Sequence, residues 1–378
     1  MPIVNQRFHG LDALRSVAML LGIVLHAALP YMDVGENIWY SDEDDSKLIA
    51  IIFQFIHFWR MPVFFTLSGF FASLLVNKYE WSYWWKNRML RIVLPVIIFT
   101  PIMGATIPWI FKYGYTGELY LFYSNDGQPH HLWFLWHLII ITIFTVLYKF
   151  YSLLFTKILK FTKLTIFFVS IKSFIAKIVF DFEIPIVLII ILTIFSLNDM
   201  GTELIGNPVS TGIYFAFGYS LYKNNKLFEN IILNWKYYFL FSLILFLIHT
   251  LIEEKIIPID FEIYPLYWIP FIFLKISTSV LFSFSFIGLA ENKFGSYSSI
   301  SRFCSDGTYW MYLIHLPIVA FITSFMFQFE FLAEIKFLLA IIMTTLLCLI
   351  TYKFLVRSTY LGLLLNGKIY PFKWNNFN

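Results

Sequence analysis

The sequence predicts an all-α membrane protein, a polytopic bundle of about ten transmembrane helices in which residues 1–378 form a single membrane-embedded domain. Three observations lead to this prediction. Hydrophobic residues make up 59% of the chain and charged residues only 13%, too few to cover the surface of a water-soluble protein of this length. Apolar runs long enough to cross a bilayer recur along the whole chain. The connections between these runs alternate in charge.

Ten apolar segments are candidates for spanning helices, because about 20 apolar residues cross the hydrocarbon core of a bilayer. Their approximate limits are 13–31, 48–76, 91–111, 131–150, 178–197, 208–222, 237–253, 264–290, 308–328 and 335–356. The fifth and sixth segments are the least clearly defined. All ten segments are predicted to cross the membrane, each as one helix.

The charges in the connections predict the orientation of the chain. Odd-numbered connections are acidic, as in Asp42–Asp45, whereas even-numbered connections and both chain ends carry most of the 27 Lys and Arg residues. Because basic residues are retained on the cytoplasmic side, both termini are predicted to be cytoplasmic and the protein to be a multi-pass protein of the plasma (inner) membrane. Residues 151–180, with lysines among apolar residues, predict an amphipathic helix on the inner surface.

The first apolar segment carries Arg15 and His26, and ionisable groups inside a membrane are candidates for function because burying them is costly. Eleven residues along an α-helix give a rise of about 16 Å and a net rotation of roughly 20°, so the two side chains share a face at different depths. Two simpler interpretations stay open. Arg15 would then reach the inner headgroups, and His26 would form a hydrogen bond between helices.

The second and third segments contain further buried cations. Arg60 lies three residues after His57, on one face of the second segment and near the middle of the membrane. Pro62 is expected to break or kink that helix beside a cavity. Arg88 and Arg91 precede the third segment, either as an ordinary positive flank or as ligands for the phosphates of a molecule from the cytoplasm.

Four motifs together resemble the acyltransferase family 3 membrane proteins. They are Arg15 and His26 with ten residues between them, SGFF at Ser68–Phe71, RMLRIVLP at Arg88–Pro95, and HLWFLW at His131–Trp136. The resemblance extends over essentially the whole chain. It implies an O-acyltransferase that moves an acyl group, acetyl or succinyl, from cytoplasmic acyl-CoA to a hydroxyl of an extracytoplasmic glycan or other cell-envelope carbohydrate.

The resemblance also implies roles for particular residues. His26 and Arg15 correspond to the catalytic pair of the family, and Arg88 and Arg91 to its third-span arginines. His26 would be a general base that takes the proton of the acceptor hydroxyl, or it would carry the acyl group covalently. Arg15 and Arg60 would bind phosphate of acyl-CoA or stabilise charge on the thioester oxygen.

The fourth and ninth segments contain candidates for binding the acceptor. His131 and Trp133 open the fourth segment at the outer face, either as part of an interfacial aromatic belt or as a stacking surface for a sugar. His315 lies inside the ninth segment beside Tyr312 and is expected to line the same cavity.

Two other classes of function are compatible with some of these features. A transporter of a glycan precursor would also contain buried charges and broken helices, and a membrane scaffold or sensor is a third possibility. HExxH and GxSxG motifs, the signatures of zinc proteases and serine hydrolases, are absent, and Cys304 and Cys348 have no metal-site spacing, so no metal is expected. No basic domain stands apart, and no nucleic-acid partner is expected. The acyl group, the acceptor and the oligomeric state stay open.

Overall fold

The protein is helical throughout the part of the chain that the structure describes. The computed structural model describes residues 8–32, 39–124, 130–159, 186–196, 208–259, 264–296 and 299–372, together with Ser170 and Phe174. Within these ranges there is no strand, and eight helices are long and apolar enough to cross a membrane. The prediction of an all-α polytopic bundle is confirmed.

Thirteen α-helices follow one another along the described ranges. They are α1 (His9–Ala28), α2 (Lys47–Lys78), α3 (Trp81–Arg88), α4 (Leu94–Thr116), α5 (Trp133–Leu159), α6 (Ile186–Ser196), α7 (Pro208–Leu221), α8 (Asn225–Leu233), α9 (Trp235–Glu253), α10 (Trp268–Phe294), α11 (Ser299–Met326), α12 (Ala333–Thr351) and α13 (Tyr360–Asn366). A π-helical turn, Met89–Val93, joins α3 to α4, and a second, Tyr352–Val356, extends α12.

Eight of the ten predicted spans coincide with helices of spanning length. The other two are the fifth and the sixth. The fifth overlaps α6, which has 11 described residues, while the predicted first part of this span, 178–185, lies outside the described residues. The sixth is α7, with 14 residues, which is shorter than a straight crossing requires. Most of the predicted surface helix at 151–180 also lies outside the described residues.

The helix α2, Lys47–Lys78, is continuous through Pro62, where a break or kink was expected. It is 32 residues long and also contains Gly69. Gly69 has another role, because a Cβ there would collide with the backbone carbonyl of Phe215 in α7. Gly218 of α7 meets the carbonyl of Thr66 in the same way. The two glycines therefore let the backbones of α2 and α7 approach closely, as small residues do between membrane helices.

The chain divides into two compact units, and three of the boundaries fall at Met61/Pro62, Trp85/Lys86 and Trp133/Phe134. Unit 1 contains the second part of α2 and the chain from α5 to α10. Unit 2 contains α1, the first part of α2, α4 and the chain from α11 onward. The single domain predicted from the sequence stays a prediction.

Within unit 2, α11 is the central helix and packs against α1, α4 and α12. A hydrophobic core joins α1 and the start of α2 to α11 and α12. The alanines in this core allow close helix packing. Its members are Ala27, Ala28, Tyr31, Ile49, Val319, Ile322, Met326, Ala333, Phe337 and Ala340. This packing brings the buried polar residues of α1 and α11 together.

Candidate active site

One face of α1 carries the residues around which the site is built. Arg15, Gly22 and His26 lie seven and four residues apart on a regular helix, so they follow one another along a single face. Arg15 and His26 therefore have the common face that the sequence predicts. Gly22 has no side chain, so it leaves space on this face of α1 between Arg15 and His26.

Three histidines from separate parts of unit 2 contact one another. The ring centroid of His26 in α1 lies 5.2 Å from that of His315 in α11. The His315 centroid lies 5.0 Å from that of His131, in the 3₁₀ turn before α5. His131 and His315 are 6% and 3% exposed, so both imidazoles are withdrawn from the surface. These three residues are called the histidine cluster below.

Hydrogen bonds to backbone carbonyls fix the tautomers of two of these histidines. Nδ1 of His315 lies 3.0 Å and 2.9 Å from the carbonyl oxygens of Met311 and Tyr312, and Nε2 of His131 lies 2.9 Å from the Tyr312 carbonyl. A carbonyl only accepts, so each of these nitrogens carries the proton and donates. In the neutral rings, Nε2 of His315 and Nδ1 of His131 are left with a lone pair.

Each ring of the histidine cluster has one buried nitrogen without a hydrogen-bond partner among the described residues. These nitrogens are Nδ1 of His26, Nδ1 of His131 and Nε2 of His315. Buried polar atoms are normally paired, and unpaired ones are expected to meet a ligand or water. The cluster can therefore accept hydrogen bonds or a proton from a bound hydroxyl.

Arg60 from α2 lies beside this cluster, in the space that Gly22 leaves on α1. A Cβ on Gly22 would be 2.8 Å from Nη1 of Arg60 and 3.7 Å from Nε2 of His315. The Nε atom of Arg60 is buried without a partner, and no carboxylate of the described residues pairs with its guanidinium. A positive charge is thus held against Gly22, which lies one helical turn before His26, and there it can stabilise a developing oxyanion.

Arg15 has a different environment from Arg60. Its Nη2 atom lies 3.4 Å from Oδ1 of Asp12, and its side chain is 40% exposed. With a rise of about 16 Å between Arg15 and His26, the first-span arginine lies well away from the histidine cluster. The structure therefore brings Arg60 next to the histidines and leaves Arg15 near one end of α1.

A short segment after α1 covers His26, although the sequence does not reveal it as part of the site. Trp39 stacks on His26 with ring centroids 6.0 Å apart, and it makes an edge-to-face contact with Phe111 of α4, with centroids 4.6 Å apart. The hydroxyl of Tyr40 donates to the Ala320 carbonyl at 2.5 Å. Burial raises the pKa of Tyr40, so this hydroxyl stays a donor at neutral pH. The signal in the sequence is an aromatic pair within an otherwise acidic connection.

Two polar contacts hold this segment in place. Nζ of Lys336 lies 2.9 Å from Oδ2 of Asp42, and both side chains are only 5% exposed. The hydroxyl of Ser46 donates to Glu334 at 2.5 Å. A buried, hydrogen-bonded ion pair is strongly specified, because removing one partner leaves the other charge buried and unpaired. The segment that contains Trp39 is therefore anchored to the start of α12.

The remaining candidates occupy other parts of the chain. Arg91 lies in the π-helical turn before α4, where its backbone carbonyl accepts a hydrogen bond from Tyr309. Arg88 ends α3 just before this turn. Trp133 begins α5, two residues after His131, and is partly exposed. His57, which was predicted to share a face with Arg60, is exposed and stacks on Phe53. The binding roles of Arg88, Arg91 and Trp133 stay predictions.

A metal site would need several ligating side chains close together. Among the described residues, no group of three or more His, Cys, Asp or Glu side chains is placed to hold a metal ion. That the protein works without a metal stays a prediction.

Fold and site together define a helical membrane protein with a polar, histidine-containing site among its helices. A family model described as an acyltransferase domain, of the acyltransferase 3 type, matches residues 8–353. The chain belongs to this family, as the four sequence motifs indicate.

Individual relatives cover less of the chain. Glucans biosynthesis protein C of Escherichia coli (strain K12) is 33% identical over 157 residues, which are 38% of this chain and 40% of the relative. The protein of the same name from Shigella dysenteriae serotype 1 (strain Sd197) is 32% identical over the same shares. The chain thus aligns with about 40% of the length of these curated relatives. No solved structure matches significantly.

Proposed function

We propose that this protein is an O-acyltransferase of the plasma (inner) membrane, with both termini in the cytoplasm. It transfers an acetyl or succinyl group from cytoplasmic acyl-CoA to a hydroxyl of an extracytoplasmic glycan or other cell-envelope carbohydrate. The observation that carries this proposal is the histidine cluster with Arg60 beside it, inside the region that the acyltransferase family model matches. The relatives named for glucan biosynthesis support a carbohydrate acceptor.

In the proposed reaction, the acceptor hydroxyl attacks the thioester carbonyl carbon while His26 takes the hydroxyl proton. The new C–O bond forms as the C–S bond breaks, and the protonated His26 returns its proton to the leaving thiolate. The fixed lone pairs of His315 and His131 accept hydrogen bonds from the acceptor and orient it. A covalent route, with the acyl group carried briefly by His26, uses the same residues.

The two arginines have separate roles in this proposal. Arg60, which packs against Gly22 beside the histidine cluster, stabilises the negative charge that develops on the thioester oxygen. Arg15 binds the polar part of the donor near the cytoplasmic surface, where Arg88 and Arg91 hold its phosphates. The acyl-bearing arm of the donor then spans the distance of about 16 Å along α1.

Mass spectrometry of cell-envelope glycans, with and without the gene product, tests this function. The expected result is the loss of one acyl mass per modified sugar in cells that lack the protein, while the glycan itself stays at its normal place. Unmodified precursor accumulating inside those cells would instead support a transporter. Unchanged glycan masses and amounts would overturn both functions.

A further inference from the structure

Arg357 follows the end of α12 and has no part in the proposed reaction. It follows the π-helical turn Tyr352–Val356 directly. Its guanidinium carbon lies 5.2 Å from the ring centroid of Phe303 in α11 and 4.7 Å from that of Tyr370, which follows α13. The two aromatic rings therefore position the guanidinium by cation–π contact, and all three residues belong to unit 2.

Two donor nitrogens of this guanidinium lack partners among the described residues. Nε and Nη1 of Arg357 are buried without a hydrogen-bond acceptor among the described residues. The neighbouring acid is already engaged, because Asp306 binds Nε of Arg302 at 3.2 Å and accepts from the hydroxyl of Tyr370. Arg357 as a whole is partly exposed, so a ligand can reach it. Its two buried N–H groups are costly to leave unpaired unless an acceptor such as an anion binds them.

Two other cations lie along the same C-terminal segment. Nζ of Lys368 lies 4.3 Å from the ring centroid of Tyr370. The guanidinium of Arg91 packs against Gly367, whose φ of 77° and lack of a side chain allow this contact, since a Cβ would collide with Nη2. Positive charge from Arg91, Arg357 and Lys368 is thus collected around residues 367–370, with Asp306 as a paired acid.

We propose that Arg357, with Lys368 and Arg91, binds a phosphate ester of the nucleotide portion of the acyl donor. The planar fork of Arg357 suits bidentate binding of phosphate, and its aromatic neighbours hold it ready for this. Arg357, Lys368 and Tyr370 lie beyond residues 8–353, so the family match does not assign them. The inference rests on the proposed function for the identity of the donor. Phospholipid headgroups offer the same phosphate chemistry.

The test is calorimetric titration of the purified full-length protein in neutral detergent with adenosine 3′,5′-bisphosphate. Arg357→Gln is expected to raise the dissociation constant at least tenfold, because the main hydrogen-bond donor to the phosphate is lost. Lys353→Gln is the matched control, since it removes one positive charge a single turn earlier on the same helix, and it is expected to change the constant less than twofold. Arg357→Lys keeps the charge but not the fork, and it should weaken binding about fivefold.

Several results would overturn this site. They are no binding by the wild type, equal weakening by the 357 and 353 glutamine variants, or unchanged binding by both Arg357 variants. If Arg357→Gln fails to fold, as judged by gel filtration and thermal unfolding, Arg357→Lys decides. Native mass spectrometry tests whether the site binds lipid instead. Loss of bound phosphatidylglycerol in the Arg357 variants, with an unchanged dissociation constant for adenosine 3′,5′-bisphosphate, would assign the site to lipid and overturn the nucleotide inference.

Acyl-transfer measurements separate this inference from the proposed function. If nucleotide binding depends on Arg357 but the protein transfers no acyl group, the Arg357 site is supported and the proposed function is contradicted. If Arg357→Gln transfers acyl groups normally, with an unchanged KM for the donor, only the Arg357 site is contradicted.

Discussion

Two arginines in neighbouring spanning helices of unit 2 have opposite environments. Arg15 is 40% exposed and pairs with Asp12, whereas the Nε atom of Arg60 is buried without a partner beside the histidine cluster. An exposed ion pair contributes at most about 1 kcal/mol, and an arginine inside a membrane costs about 2.5 kcal/mol or more. The comparison teaches that the partners of a buried charge, more than its presence in an apolar segment, indicate where the chemistry occurs.

The largest difference between the two arginines is expected in the turnover rate. Arg60→Gln should lower kcat for acyl transfer by about 1000-fold, because the group that stabilises the oxyanion is lost. The KM for the donor should change little. The measurement is acyl transfer by the purified protein with saturating donor. A fall in kcat of less than about tenfold would show that Arg60 is a structural arginine.

A smaller fall in kcat is expected when the Arg60 guanidinium is displaced instead of removed. Gly22→Ala places a Cβ 2.8 Å from Nη1 of Arg60, so the guanidinium must shift, and kcat should fall roughly 100-fold. Thermal stability should not fall, since alanine favours a helix over glycine.

Gly212→Ala in α7 is the control for this change, because a Cβ there meets no atom within 4 Å. Equal activity of the two alanine variants would contradict the position assigned to Arg60. Both are measured in the same transfer assay and by thermal unfolding.

Arg15 should show the smallest effect, and in a different parameter. Arg15→Gln is expected to raise the KM for acyl-CoA about tenfold, which corresponds to one charge-assisted hydrogen bond, and to change kcat less than threefold. The steady-state kinetics of donor dependence measure both. If kcat fell as far as in Arg60→Gln, the catalytic role that the family resemblance implies for Arg15 would replace the donor-binding role.

The sequence predicts the part of this architecture that depends on local patterns. Hydropathy and charge alternation identify the eight long helices, and the spacing along α1 places Arg15 and His26 on one face. It also predicts that His315 and His131 share a site, through the acceptor-binding role suggested for both. These inferences need only the periodicity of a helix and the cost of burying charge.

The rest of the site depends on packing between residues far apart in the chain. Gly22 leaves the space for Arg60, and Trp39 covers His26 only because Tyr40 and Asp42 anchor its segment to α11 and α12. Glycines are frequent in membrane helices and aromatic residues are frequent at their ends, so neither feature by itself indicates a site. Likewise, α2 is continuous through Pro62, where a break or kink was expected, since neighbouring helices can satisfy the backbone groups that a proline frees.

The central claim is that acyl transfer takes place at the histidine cluster, and His26 tests it most directly. The measurement is acyl transfer by purified His26→Ala in liposomes, with His57→Ala as the matched control, because His57 is an exposed histidine that stacks on Phe53. We expect His26→Ala to lose at least 100-fold in kcat at unchanged thermal stability and His57→Ala to retain wild-type activity. Wild-type transfer by His26→Ala would contradict the claim.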